Sequence, residues 1–160
     1  MIIVKQLCAL ISLLALASCA ASSGSAGHGM PSPVSSKYIT GIGGGVTVDA
    51  DNKLKTFKMS VHCRLNSSSP EPLYIVARFD SPAPGIHLQD SKPQRVNPGS
   101  EFDVISQPFS RIQNDKDYHV HLSAYRDPSR TQLSDEVTQT IRFTFPEKIQ
   151  RLFGLEDNVL

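Results

Sequence analysis

The sequence predicts an all-β fold, an antiparallel β-sandwich of short strands closed by one short C-terminal helix. Three observations carry this. Apolar and polar residues alternate with period two in four stretches between Phe57 and Phe145, which sends alternate side chains to opposite faces of a strand. Gly, Pro, Asn and Asp punctuate the intervals between these stretches, as turns require. No helical period runs through the region, and strands at such spacing without intervening helices favour an antiparallel sandwich.

The elements follow in order from Tyr38. Weak strands are expected at 38–42 and 45–49, around Gly41-Ile42-Gly43-Gly44-Gly45. That glycine run lacks the Lys-Ser/Thr of a phosphate-binding loop and has no following helix, so it reads as a bulge or kink in the first strand. Asp51-Asn52 suits a hairpin turn. Phe57, Met59, Val61, Cys63 and Leu65 then alternate with Lys58, Ser60, His62 and Arg64. Leu73, Ile75, Ala77 and Phe79 alternate with Tyr74, Val76 and Arg78. Ser81-Pro82-Ala83-Pro84-Gly85 and Asn97-Pro98-Gly99 are loop signals, with weak strands expected at 86–89 and 101–106. After the turn Asn114–Asp117, Tyr118, Val120, Leu122 and Ala124 alternate with His119, His121, Ser123 and Tyr125. Val137, Ile141, Phe143 and Phe145 alternate with Thr138, Thr140, Arg142 and Thr144. In the tail 146–160, Pro146 opens a short helix, Gly154 stops it, and Ile149, Leu152 and Phe153 share one face, expected to pack on the sandwich edge.

The segment from Ile112 to Leu122 resembles the E–F corner of fibronectin type III and immunoglobulin-like domains, where an apolar residue stands six before a Tyr that opens a strand. Ile112 and Tyr118 hold those positions. The resemblance implies a Tyr ring in the core whose hydroxyl bonds back to the turn. The chain lacks the core Trp of those families and the immunoglobulin cysteine pair. A transthyretin-like sandwich is the alternative topology.

Ahead of this domain the chain has a different character. Lys5 precedes an apolar run from Leu7 to Ala17, shorter than the roughly 20 residues that span a bilayer, as in a cleaved export signal. The run ends in Leu16-Ala17-Ser18-Cys19, which resembles the lipobox of bacterial lipoproteins. In that family a dedicated peptidase cuts before the Cys, whose sulfur carries a diacylglycerol and whose new amine is acylated. The resemblance implies a signal peptide over 1–18, Cys19 as the lipidated first residue and a mature chain of 142 of the 160 residues. Ala20, in place of Asp, implies sorting to the outer membrane with the domain in the periplasm. Residues 19–37 comprise the lipidated Cys and a Ser/Gly/Pro tether; 18 residues of flexible coil have an end-to-end distance of roughly 20–25 Å.

Charge and cysteines bound the function. Lys+Arg number 16 and Asp+Glu 15, and loss of Lys5 with the leader makes the two equal. A neutral chain has no electrostatic footprint for nucleic acid. With Cys8 removed and Cys19 acylated, Cys63 remains alone, so no internal disulfide is expected. Cys63 faces inward, where a thiol stays protonated and inert.

No Gly-x-Ser-x-Gly elbow and no marked carboxylate pair is present, so no catalytic residue is assigned and the protein is expected not to be an enzyme. His119 and His121 share one strand face about 7 Å apart, a spacing zinc sites use. They lack a third ligand: in an immunoglobulin-like arrangement His62 belongs to the other sheet, and His87 lies about 10 Å away. No metal and no cofactor is therefore expected. The outer face of one sheet presents Tyr74, Val76, Arg78, His119, His121, Tyr125 and Arg142. Tyr and Arg are enriched at protein–protein hot spots, so this face is the expected contact with another envelope protein, the membrane being held through the N-terminal lipid. A small-ligand or metal-binding periplasmic lipoprotein is the alternative.

Overall fold

The computed structural model describes residues 33–49 and 55–160. The expected leader, Cys19, the tether as far as Ser32 and the Asp51-Asn52 turn lie outside the described residues. Two four-stranded antiparallel sheets face each other. The first has the order β1 (Val34–Ser35), β2 (Ile39–Asp49), β3 (Thr56–Leu65), β6 (Glu101–Ile105). The second has the order β5 (Gln94–Val96), β4 (Leu73–Phe79), β7 (Lys116–Tyr125), β8 (Leu133–Phe143), and α1 (Glu147–Phe153) follows.

The alternation fixes which side chains meet between the sheets. All five inward residues of β3, from Phe57 to Leu65, are fully buried, opposite Leu73, Ile75, Ala77 and Phe79 of β4 and Tyr118, Val120, Leu122 and Ala124 of β7. Phe57 stacks on Phe109 at 5.9 Å and meets Phe143 edge-on at 6.2 Å. Aromatic pairs at such separations add about 0.5–1.5 kcal/mol beyond the area they bury.

The glycine run does what a bulge does. The expected strands at 38–42 and 45–49 are one strand, β2, with a register shift between Gly41 and Gly43. Before the shift the odd-numbered Ile39 and Gly41 are the buried residues; after it Val46 is buried and Val48 packs on the core. One inserted residue thus turns Val46 and Val48 inward. Gly44 sits where a Cβ would lie 2.9 Å from the Ser60 carbonyl oxygen and 3.1 Å from Ile141. The backbones approach too closely there for any side chain.

Two other expectations are corrected. Residues 86–89 form no strand: Ile86 and Leu88 pack on the core, but the Ile86 N–H closes a turn onto the Ala83 carbonyl. The strand beside β4 is β5, further on at Gln94–Val96. At the other end, Val34 and Ser35, placed in the tether, pair with Gly41 and Thr40 of β2. The corner after them is tied to the second sheet by Asp135 of β8, whose Oδ2 accepts the Ser36 hydroxyl (2.6 Å) and the N–H groups of Tyr38 (2.6 Å) and Ile39 (3.1 Å).

β8 also holds an inward polar residue. Gln139 is fully buried; its Nε2 donates to the Thr140 carbonyl at 3.2 Å, while Oε1 has no hydrogen-bond partner among the described residues. Gly41 leaves the room for it, since a Cβ there would lie 2.3 Å from Oε1. Gln139→Leu is expected to raise the urea midpoint by the equivalent of about 1 kcal/mol, because an unsatisfied buried acceptor costs more than an apolar group of similar size. An unchanged or lowered midpoint contradicts this.

The tail is fixed differently from expectation. Leu152 and Phe153 do not pack on the sandwich; they are 73% and 45% exposed. Gly154, in the left-handed conformation at φ 60°, ends α1 and reverses the chain, so that Leu155 is buried instead. The Gln150 amide donates to the Phe145 carbonyl at 2.7 Å, and Val159 forms a parallel bridge with Ile112.

Candidate functional site

The register places all seven residues of the expected contact face on the outer side of the second sheet. Tyr74 stands opposite Tyr125, Val76 opposite Ser123 and Arg78 opposite His121. Across the next ladder His119 faces Thr140, His121 faces Thr138 and Asp117 faces Arg142. The face is graded along the strands. One end carries Arg95, Tyr74, Tyr125 and the exposed Leu133; the other carries Asp80, His119 and His121.

Val76 requires a correction. Although it points outward in register, it is only 5% exposed. The strand edge beside it is covered by residues near Ser91, whose N–H donates to the Ala77 carbonyl (2.8 Å) and whose hydroxyl oxygen accepts from the Ala77 N–H (2.8 Å). Val76 and Ser123 therefore line a depression of about 270 Å³, together with Arg78, His121, Arg130 and Glu136.

Asp80 organises the histidine end. Its Oδ2 accepts the His119 N–H (2.8 Å) and lies 2.9 Å from His119 Nδ1, while Oδ1 stands 4.0 Å from His121 Nε2. Burial opposes ionisation of this carboxyl, but the His119 backbone and ring donors outweigh it and hold Asp80 below the usual carboxylate range. The two rings stack at 6.3 Å, and His121 Nδ1 meets the Thr138 hydroxyl at 3.0 Å. Sequence reasoning passed over Asp80, although it continues the even-numbered outward series Tyr74, Val76, Arg78 by one step.

Cations on the face differ in their company. Arg142 lies 3.8 Å from Asp117 and Arg130 3.6 Å from Asp90. Arg78 is exposed and has no ion-pair partner among the described residues. Arg130 is held in the left-handed conformation, φ 63°. Its loop is ordered by Asp127, whose carboxylate accepts the Thr131 and Gln132 N–H groups and the Ser129 and Thr131 hydroxyls. Those donors, the Thr131 N–H first, bring the Asp127 carboxyl down to about 2. No sequence pattern marks Arg130 as part of the rim, because loop geometry brings it there.

The other sheet carries a second titratable group. His62 on β3 has Asp103 at 2.9 Å and Glu101 at 3.2 Å, and Glu101 also pairs with Arg64. The Asp103 hydrogen bond, against some burial and with help from Glu101, raises the His62 pKa. His62 is in the first sheet and His87 in an exposed loop, so neither stands with His119 and His121. Among the described residues no group of three or more His, Cys, Asp or Glu is placed to hold a metal ion. Cys63 is buried, which pushes its thiol up to about 12. No helix among the described residues is long and apolar enough to cross a membrane. Comparison with protein families, with curated proteins and with solved structures finds no match to this chain.

Proposed function

We propose that this protein is a lipid-anchored lipoprotein of a bacterial outer membrane, and that its domain is a non-enzymatic module that binds another envelope protein from the periplasmic side. The observation that carries the anchor is Leu16-Ala17-Ser18-Cys19 at the end of a short apolar run. Ala17 and Ser18 are small enough for a peptidase cleft, and a thiol is the nucleophile that takes the lipid. The module is read as fibronectin III or immunoglobulin-like. Supporting that reading, β2, β3 and β6 follow the order of strands A, B and E, and β4, β7 and β8 that of C, F and G. The Tyr118 hydroxyl lies 2.9 Å from both the Pro82 and Gln113 carbonyls, as at a tyrosine corner.

The outer face of the second sheet is the proposed contact. Its support is chemical: half-buried Tyr74 and Tyr125 stand opposite each other at one end of the face, and Tyr125 lines the depression together with Arg78, which has no ion-pair partner among the described residues. Small-molecule sites run to about 300–1,000 Å³ and are mostly apolar; a shallow polar depression of about 270 Å³ suits an inserted side chain better. The unpaired guanidinium selects a carboxylate for that side chain. Tyr74→Ala with Arg78→Ala is expected to abolish co-purification of the partner from solubilised membranes while leaving the thermal midpoint near that of the parent. Undiminished co-purification would refute the assignment of this face.

A further inference from the structure

We infer that α1 lies on the bilayer to which the protein is anchored, with Leu152 and Phe153 entering the boundary between headgroups and acyl chains. The inference rests on the lipid anchor proposed above and adds an orientation to it. Five large hydrophobic side chains are exposed among the described residues, and three of them, Leu152, Phe153 and Leu160, fall within the last nine residues of the sequence. Neither Leu152 nor Phe153 belongs to the buried core. The tail is docked by Gln150, Leu155 and Val159 and by backbone pairing of Ile112 and Asn114 with Asn158 and Leu160.

The topology turns this end toward the membrane. Val34 pairs with Gly41 and Ser35 with Thr40, so β1 is antiparallel to β2. The chain therefore enters β1 at Val34 from the side on which β2 runs on toward Asp49. That is the end of the sandwich where Val48 pairs with Phe57, Phe57 meets Phe143 and α1 follows. From Gly41 to Asp49 β2 covers about 27 Å at ~3.4 Å per residue. The 14 residue-to-residue steps from Cys19 to Pro33 reach at most about 50 Å. The tether can therefore pass the length of the sandwich and still meet a bilayer against α1.

The occupant is a lipid surface because the two exposed apolar residues sit beside cationic stems. Lys148 and Arg151 flank them and can lay their methylenes along the acyl boundary with the charges at phosphate level. Arg151 lies 3.4 Å from Glu147, and Glu156 and Asp157 follow. The local charge is thus mixed, and apolar insertion, more than attraction to anionic lipid, makes the contact. A contact of two or three side chains is weak alone, but the acyl anchor makes it intramolecular and fixes its effective concentration.

The chain contains no Trp, so Phe153→Trp in the full lipidated protein is a single reporter. Ser67→Trp, at the exposed opposite end beside Leu65, is its control. Both are placed in vesicles of phosphatidylethanolamine and phosphatidylglycerol, with and without bromine on the acyl chains. The Phe153→Trp emission is expected to shift to shorter wavelength and to be roughly halved by the brominated lipid, consistent with a helix buried about 5–10 Å deep. Ser67→Trp emission stays open to aqueous iodide. Equal iodide access and no bromine quenching at both positions, on vesicles that retain the protein, overturns the inference and leaves the anchor standing. Protection of Phe153→Trp from iodide without bromine quenching means that protein covers α1, and overturns it too. Protein that carries no acyl mass and does not sediment with vesicles overturns the anchor itself.

Discussion

Tyr118→Ala is expected to lower the unfolding free energy by about 3–5 kcal/mol, the cost of deleting a buried aromatic ring. Tyr118 is fully buried, and its polar end fastens two loops. Its hydroxyl accepts the Gln113 N–H at 3.0 Å and donates its single proton to the Pro82 or the Gln113 carbonyl, each 2.9 Å away. Burial pushes this phenol up to about 12, so it remains a donor throughout the neutral range. Tyr118→Phe separates the two contributions. It keeps the ring and leaves the Gln113 N–H bonded to the Pro82 carbonyl at 3.0 Å, so that the Gln113 carbonyl alone loses its donor, and is expected to cost about 1 kcal/mol. Urea denaturation of both variants checks this, with an unchanged slope showing that the unfolded reference is the same. A Phe variant as stable as the parent would mean that the corner is held by packing alone.

Cys19→Ser is expected to remove all fatty-acid label from the protein in cells fed a labelled acyl precursor. The chain has three cysteines, so Cys8→Ser and Cys63→Ala serve as matched controls and retain the label. On the proposed anchor the loss is complete, because the Cys19 sulfur would be the attachment atom and the new amine would be acylated only after cleavage beside it. Acyl burial contributes about 0.8 kcal/mol per CH₂, so a serine in this place forfeits the whole attachment. Label persisting in Cys19→Ser would place the lipid elsewhere.

The two sheets were legible wherever burial agreed with hydropathy. Every inward residue of β3 is apolar and every outward one polar, so one alternation assigned the strand, its faces and the burial of Cys63. The glycines of β2 were legible as a bulge because a strand that changes phase must insert a residue. What escaped depended on contacts between distant segments. Ile86 and Leu88 alternate as a strand would, yet no neighbouring strand runs beside them to bond with. Leu133 to Glu136 open β8 without apolar alternation, because an edge strand with an outward face and the Asp135 clamp needs none. Gln139 is polar and buried, the combination that hydropathy cannot place.

The same limits apply to the candidate face. Period two put its seven residues together, and the ladder registers agree. It could not show that the Ser91 segment would bury Val76 or that the Asp127 loop would bring Arg130 to the rim. Of the α1 stripe, Ile149 packs on the core as expected, whereas Leu152 and Phe153 do not, for a related reason. Helical spacing identifies which residues share a face, but the left-handed turn at Gly154 sends Leu155 into the core and leaves Leu152 and Phe153 outside. The proposed acylated N-terminus would bring an apolar surface beside this exposed pair.

The most direct measurement is the intact mass of the protein isolated from its native membranes. The account predicts a polypeptide of 142 residues beginning at Cys19 and heavier by a diacylglyceryl group and one further acyl chain. A mass equal to unmodified polypeptide, or a mature chain beginning at another residue, would contradict it.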